Sequence, residues 1–256
     1  MSIGTKLFRV HTCEDSIAWA CEHIADAPDG SIFLADTLLQ ARGRQGRSWV
    51  IYDGQLLITM LLKPALLQTV SSDDIPIRLN QLNIALTVGI VKVLAPYGVG
   101  LKWPNDFMCC DKKVGGMLAH VVWQCGRPAG VVIGLGFNVN TIFNPEDELY
   151  SRATSLAACI GHEIDRRTLY KALLVSMDVE YGLWGKGMFD QAYKTWRSMQ
   201  LYLGRYVEIH QKDGALIRGI MKQVLPNGDM MLSEDNQTLR AHIIPYSVVS
   251  DVIIPA

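Results

Sequence analysis

The chain has 256 residues, and at about 150 residues per domain this length suits one or two domains. Lys and Arg number 24 and Asp and Glu number 25, so the formal net charge is −1. This balance argues against a general affinity for nucleic acid or anionic membrane, because both depend on summed positive charge. Apolar residues make up 49% of the chain, enough for a sizeable core, but no apolar run of about 18 residues predicts a transmembrane helix.

The cysteines are expected to be isolated thiols. Their spacing contains no CxxC pair and no Cys/His ligand pattern, so it predicts neither a zinc site nor a disulfide scaffold. Residues 1–10 lack the charged-then-apolar order of a signal peptide. Isolated thiols in a chain without such a signal indicate a reducing compartment such as the cytoplasm. The six residues are Cys13, Cys21, Cys109, Cys110, Cys125 and Cys159.

Helices and strands are predicted to alternate irregularly over the first 200 residues or so. The first helix, 12–27, has apolar residues at helical spacing, with Thr12 or Asp15 as its cap. A mixed sheet with helices packed on it fits this order better than regular βαβ units. The predicted strands are 31–35, 55–62, 99–103, 114–123 and 130–139. A loop at 104–113 connects the third of these strands to the fourth. The later helices are predicted at 76–97, 166–184 and 189–199.

The pattern changes near residue 203 to short strands separated by turn sequences. Several short strands within about 50 residues predict a small antiparallel barrel. We therefore predict two domains, 1–203 and 204–256. The short strands are 206–210, 215–224, 230–232 and 239–244.

An Arg/Gly-rich loop, ARGRQGRSW at 41–49, is the first segment suited to chemistry. Its two glycines let the backbone close round a ligand, and its three arginines can direct guanidinium groups at an anion. The alternative interpretation is a solvated basic loop or a nucleic-acid-binding segment.

The second segment is KWPND at 102–106, followed by KKVGG at 112–116. It brings lysines, an amide and the carboxylate of Asp106 together, which suits a phosphoryl group and a magnesium ion. The alternative is a β-turn with a surface lysine pair, and for Lys112 that alternative is preferred.

The third segment, GLGFNVN at 134–140, closes an apolar strand. It lacks the third glycine of a dinucleotide fingerprint, and glycines in a buried strand are typical of a bulge. Asn138 is its candidate ligand-binding residue.

In this order the three segments resemble the biotin protein ligases, whose motifs are GRGRxGRxW, KWPND with KxGG downstream, and GxGxN. The resemblance runs from about residue 12 to the end, and KWPND matches without a mismatch. It implies an α+β fold: a mixed β-sheet packed with helices, of the class II aminoacyl-tRNA synthetase-like biotin/lipoate ligase type, plus a small C-terminal SH3-like β-barrel.

The resemblance also implies a reaction and its participants. In the presence of Mg2+, biotin and ATP would give biotinyl-5′-AMP and pyrophosphate. A lysine of a biotin carboxyl carrier protein, an acetyl-CoA carboxylase subunit, would then take the biotin and release AMP. Lys113 and Arg44 are the expected catalytic residues, because cations must offset the repulsion between carboxylate and α-phosphate. Asp106 is the expected Mg2+ ligand. The implied substrate-binding residues are Asp15, Ser16, Arg42, Gly43, Arg44, Trp49, Lys102, Asn105, Lys113, Gly115, Gly116 and Asn138.

Some positions depart from the family pattern. Ile17 and Leu38 stand where the family has polar residues, and His120 stands where it has Glu. Ile17 and Leu38 favour the alternative of a ligase for lipoate or another aliphatic acid. A non-catalytic binder of biotin or its adenylate is a third possibility. About ten residues precede the first ligase-like helix, too few for a helix-turn-helix, so we expect no DNA binding. We also expect no membrane partner, a cytoplasmic location and a monomer or homodimer.

Overall fold

The computed structural model describes residues 2–43, 46–234 and 241–253. The described residues form two β-sheets and the helices between them. The strands of the larger sheet are β1 (Leu7–Asp15), β2 (Ser31–Arg42), β3 (Ser48–Trp49), β4 (Gln55–Leu62), β5 (Gly100–Lys102), β6 (Asp106–Cys109), β7 (Lys112–Gln124) and β8 (Arg127–Asn138). The helices are α1 (Ser16–Glu22), α2 (Leu66–Thr69), α3 (Ile75–Leu94), α4 (Leu156–Ile160), α5 (Arg166–Gly185) and α6 (Asp190–Ser198).

The larger sheet is mixed, as predicted. Its strand order is β1-β2-β4-β8-β7-β6-β5, with β3 paired to β2. The β1–β2 pair is parallel and the other pairs are antiparallel. Helix α1 packs with Phe33, Leu61 and Val132 in a small apolar cluster, while α3 and α5 belong to the main core. The sheet is therefore covered by helices on both faces.

Helix α3 is the central core helix. With its flanking 3-10 turns it spans Ser72–Tyr97, and its most apolar 18-residue window has a mean hydropathy of 1.3, long and apolar enough to cross a membrane by length and composition. However, 56% of that window is buried inside the protein. Leu86, Ile90 and Leu94 are fully buried, and a Cβ at Gly89 would lie 2.7 Å from Met177 Cα of α5. Packing against α5 thus accounts for the apolar stripe.

The second sheet consists of β9 (Tyr206–Gln211), β10 (Leu216–Val224), β11 (Met230–Ser233), β12 (Ala241–Ile244) and β13 (Val249–Ile253). Its order is β12-β11-β10-β9-β13, antiparallel throughout, which confirms the predicted change to antiparallel strands. Its apolar residues join the main core, and Trp103 Nε1 donates to Gly228 O at 2.9 Å. The division into domains 1–203 and 204–256 stays a prediction.

The predicted boundaries of several segments were wrong. Strand β2 runs to Arg42, seven residues past the predicted 31–35. Residues 12–15 belong to β1 rather than to the first helix, because they pair in parallel with β2 and α1 begins only at Ser16. The predicted loop 104–113 contains β6, whose hairpin to β7 turns at Cys110 and Asp111 with φ of 50° and 57°. Such turns usually carry Asn-Gly or Asp-Gly, and this segment has neither, so no hairpin was predicted there. Helices α2 and α4 and strands β1, β3 and β13 were not predicted at all.

Candidate active site

A cavity of about 1200 Å3 lies where the larger sheet meets the second sheet. Its size is at the upper end for a small-molecule site. Strands β2, β4, β7 and β8 contribute to its wall, and so do the segments at 47–50 and 143–153 and strand β13 of the second sheet. The structure brings together on this wall eleven predicted site residues: Asp15, Ser16, Arg42, Gly43, Trp49, Lys102, Asn105, Asp106, Lys113, Gly116 and Asn138. Arg44 lies outside the described residues.

Asp15 connects helix α1 to the Arg/Gly-rich segment. Its Oδ1 accepts hydrogen bonds from the backbone N–H groups of Ile17 and Ala18, at 2.9 and 3.1 Å, which caps the helix. Its Oδ2 accepts from Arg42 Nε and forms an ion pair with that guanidinium. Both carboxylate oxygens are therefore engaged, and Asp15 holds Arg42 beside the cavity.

Lys113 is placed at the wall by strand β7 and by its partner Asp106. Its Nζ lies 2.6 Å from Asp106 Oδ1 and 5.6 Å from the centre of the Trp49 ring. Its backbone N–H donates to Arg152 O, and its carbonyl accepts from Thr154 N. These bonds fix the strand, while 37% of the side chain stays exposed, so the ammonium can reach an anionic ligand.

Trp49 packs against Gly136 of β8. A Cβ at Gly136 would come within 2.9 Å of Trp49 Cε2, so only glycine admits the indole there. The indole Nε1 is buried without a hydrogen-bond partner among the described residues. A buried donor without a partner costs about 1–3 kcal/mol, so the site is incomplete at this point.

The two glycines of the KxGG motif have different surroundings. Gly116 faces the cavity, where a Cβ would meet Lys113 Cε at 3.5 Å and Trp49 Cζ3 at 3.6 Å. Gly115 is not on the cavity wall, and a Cβ there would lie 2.2 Å from Phe137 Cδ1. The structure thus gives Gly115 a packing reason, in place of the predicted ligand contact: it makes room for the buried Phe137 ring.

The two candidate asparagines brace backbone segments. Asn105 Nδ2 donates to Met117 O at 2.7 Å. Asn138 Oδ1 accepts from Gln55 Nε2 at 3.0 Å, and its Nδ2 donates to Thr154 O at 3.1 Å. Both side chains are buried, and the bonds tie β4 and β8 to the segment that precedes α4.

Lys102 connects the cavity to the second sheet. Its Nζ lies 3.1 Å from Asp251 Oδ1, and both residues are on the wall. Tyr202 is beside them, and burial raises the pKa of its phenol, although the Lys102 ammonium lowers it. The phenol therefore stays protonated at neutral pH and can donate a hydrogen bond.

One end of the cavity is largely apolar. Ile17 and Leu38 are both on its wall, together with Leu57 and Leu118. The hydroxyl of Ser16 and that of Thr59 are also on the wall, buried and 2.7 Å apart. This end suits an aliphatic chain with one polar head group.

Several wall residues were missed by sequence reasoning. They lie outside the three motifs, and no local pattern marks them, because the second sheet and the segment before α4 reach the cavity only through the tertiary fold. They are Gln55, Thr59, Arg152, Arg205 and Asp251.

Comparison with known proteins identifies a matching family and several relatives. Residues 16–138 match the Biotin/lipoate A/B protein ligase family. A Bacillus subtilis protein, the bifunctional ligase/repressor BirA, is 30% identical over 195 residues, which are 74% of this chain and 57% of that protein. A Mycobacterium tuberculosis biotin–[acetyl-CoA-carboxylase] ligase is 27% identical over 219 residues, 82% of this chain and 76% of that one.

The solved structures agree over nearly the whole chain. A biotin protein ligase from Aquifex aeolicus in complex with biotin and ATP superposes with a TM-score of 0.80 at 24% identity, covering 98% of this chain and 100% of that one. At that identity the likeness shows the fold, and it confirms the predicted fold class. Residues 16–138 thus form a domain of the biotin/lipoate A/B protein ligase family. It spans 57% of the length of the first curated relatives it matches.

Proposed function

We propose that the protein is an ATP-dependent ligase that adenylates biotin and transfers the biotin to a lysine of a biotin carboxyl carrier protein. The convergence of Arg42, Lys102 and Lys113 on one cavity carries the proposal. Relatives named as biotin ligases support it, and so does the Aquifex aeolicus ligase, whose complex contains biotin and ATP.

Lys113 is the residue proposed to promote adenylate formation. In this step a carboxylate oxygen attacks the α-phosphorus, a C–O–P linkage forms and pyrophosphate leaves. Two anions must approach each other, and a preorganised cation offsets their repulsion. Asp106 holds the Lys113 ammonium 2.6 Å away at the wall, so that its position is set before the nucleotide arrives.

Asp106 is also the proposed Mg2+ ligand. The carboxylates on the wall are hard oxygen donors, and Mg2+ is commonly held by one or two carboxylates together with substrate phosphates. The residues present therefore suit the ion, which supplies positive charge to the phosphate oxygens when it is bound. Asp106 would then share its carboxylate between the ion and Lys113.

Trp49, Gly116 and Arg44 are proposed to hold the nucleotide part of the adenylate. Trp49 offers an aromatic face and an unpartnered indole N–H, and Gly116 leaves space beside it. Arg44 would hold the adenylate phosphate, and the Arg/Gly-rich segment would cover the anhydride and keep out water.

Biotin is proposed to lie in the apolar end of the cavity. Ile17 and Leu38 would pack against its aliphatic part, and the Ser16–Thr59 hydroxyl pair would meet a polar group of its ring. These apolar residues are also compatible with lipoate, but the named relatives favour biotin. The carrier protein as partner, a cytoplasmic location, the oligomeric state and the lack of DNA binding stay predictions.

Acid-dependent exchange of labelled pyrophosphate into ATP tests the proposal. With biotin and Mg2+ we expect exchange in the wild type and none in Lys113→Ala, because the cation between carboxylate and phosphate is gone. Lys112→Ala is the matched control: its Nζ donates to Tyr150 O at 2.8 Å and it is not on the cavity wall. It should exchange at the wild-type rate.

Two results would contradict the proposal in different ways. Exchange with lipoate or octanoate but none with biotin would overturn the choice of acid and keep the adenylation chemistry. Binding of biotin and ATP with no exchange for any acid would indicate a non-catalytic binder. Mass spectrometry of a carrier protein after incubation then checks the transfer step.

A further inference from the structure

Three cysteine thiols from separate parts of the chain meet outside the cavity. Cys109 ends β6, Cys110 lies in the turn to β7, and Cys159 lies in α4. Their sulfur atoms are all within 4.8 Å of one another, and the Cys109 and Cys110 sulfurs are 3.8 Å apart. None of the three is on the cavity wall, so the cluster is separate from the proposed ligase chemistry.

The turn geometry makes this arrangement of neighbours possible. Successive side chains in a regular strand point to opposite faces, so adjacent cysteines normally hold their sulfurs apart. Cys110 has a φ of 50°, in the left-handed region, and this turns its side chain back toward that of Cys109. The three sulfurs therefore converge without any rearrangement of the backbone.

The spacing of the sulfurs fits a metal ion. Zinc binds thiolate sulfur at about 2.3 Å in tetrahedral geometry, which sets neighbouring sulfurs about 3.8 Å apart. The Cys109–Cys110 distance already has this value, and Cys159 must move by at most about 1 Å to match it. Cys109 is buried and Cys159 is half-buried, while Cys110 is exposed. An ion would thus have its fourth position open to solvent on the Cys110 side.

We propose that Cys109, Cys110 and Cys159 bind one zinc ion through three thiolates, with solvent as the fourth ligand. Thiolates are soft ligands, which select zinc or monovalent copper over magnesium. Binding breaks three S–H bonds, forms three Zn–S bonds and releases three protons to solvent. The thiols must lose these protons to bind the ion, so zinc affinity rises with pH.

The ion would join the β6–β7 hairpin to helix α4. The hairpin is already connected to the segment just before α4 by the hydrogen bonds from Lys113 N to Arg152 O and from Thr154 N to Lys113 O. A zinc ion would add a second connection, to α4 itself. Zinc is therefore expected to stabilise the folded chain without contacting the substrates.

Metal titration of the fully reduced, metal-free chain tests the site. Co2+ is the spectroscopic probe, because a thiolate-bound Co2+ gives a charge-transfer band in the near ultraviolet. We expect one Co2+ per chain with that band, displaced by one Zn2+. Excess zinc at about 100 times its Kd should raise the melting temperature by about 5 °C or more.

Cysteine variants separate the proposed site from adventitious binding. Cys110→Ser and Cys159→Ser should each abolish the cobalt band. Cys125→Ser is the matched control: Cys125 is also exposed and has a φ of 49° in the β7–β8 turn, but it is not part of the cluster. It should bind as the wild type does, and circular dichroism checks that each variant is folded.

Two results would overturn the site: a reduced wild-type chain that takes up no Co2+ or Zn2+, or a cobalt band that survives in both Cys110→Ser and Cys159→Ser. Neither measurement uses ATP or an acid substrate. The zinc site and the ligase function can therefore fail independently of each other.

Discussion

Alanine at Gly115 should lower the stability of the fold, whereas alanine at Gly116 should weaken ATP binding and leave stability unchanged. At Gly115 the new Cβ would lie 2.2 Å from Phe137 Cδ1 and 2.9 Å from Gly136 O. The Phe137 ring is fully buried and packs against Phe107 with ring centres 5.1 Å apart, so it has little freedom to move away. At Gly116 the nearest atoms would be 3.5 and 3.6 Å away, which is ordinary contact.

The expected magnitudes follow from these distances. Overpacking a core costs about 1–3 kcal/mol, and replacing glycine by alanine in a strand returns about 0.5–1 kcal/mol. The net loss for Gly115→Ala is then about 1–2 kcal/mol, a fall of roughly 2–8 °C in melting temperature. Gly116→Ala should fold as well as the wild type, but its methyl group occupies the cavity beside Lys113 and should weaken ATP binding about tenfold.

Thermal unfolding and pyrophosphate exchange together measure this contrast. Gly115→Ala should show the lower melting temperature, and Gly116→Ala the raised KM for ATP at unchanged melting temperature. A Gly115→Ala variant that melts at or above the wild-type temperature would refute the packing role assigned to Gly115. A Gly116→Ala variant with the wild-type KM for ATP would show that ATP does not bind close to Gly116.

Three further substitutions test the core, a helix cap and the contact between the sheets. Ile133 of β8 is fully buried, so Ile133→Ala should lower the free energy of unfolding by about 2–5 kcal/mol, measured by urea denaturation. A loss below about 1 kcal/mol would contradict its position in the core. Asp165 caps α5, and hydrogen bonds from the hydroxyl of Thr168 and the backbone of Arg167 hold its pKa below the ordinary value. Asp165→Ala should therefore lower the melting temperature at pH 7. The difference in melting temperature between wild type and variant should shrink as the pH falls from about 4 through the lower pKa of Asp165 in the folded state. A difference that stays constant with pH would contradict this. Asp251→Ala should change the free energy of unfolding by less than about 1 kcal/mol. It should lower the KM for ATP, because the Lys102 ammonium then has no carboxylate that competes with the nucleotide. An unchanged KM would show that Lys102 does not contact the nucleotide.

Strong local patterns predicted the regular elements well. The apolar run 55–62 coincides with β4, and the helical spacing of 166–184 differs from α5 by one residue at its end. Both segments have a continuous apolar or periodic signal over many residues. Strand β6 had no such signal, because its hairpin turns on Cys110 and Asp111 instead of on the usual Asn-Gly or Asp-Gly.

The candidate site was predicted where motifs carry it and missed where contacts between distant segments carry it. Lys113 and Asp106 stand in neighbouring motifs, and the structure joins them at 2.6 Å. Lys102 and Asp251 are 149 positions apart, and nothing in either local sequence indicates that they meet. The same reason explains the cysteines, since Cys159 joins Cys109 only through the packing of α4.

The sequence by itself determined the elements with clear periodicity, the three motifs and, through them, the protein family. These features depend on residues close together in the chain, whose spacing expresses local conformational preference. The tertiary structure alone decided which glycine of the KxGG motif faces the cavity, which carboxylate Lys102 meets and where the thiols cluster. Those outcomes depend on strand register and on side-chain packing between segments that are far apart in sequence, and local preference carries no information about them.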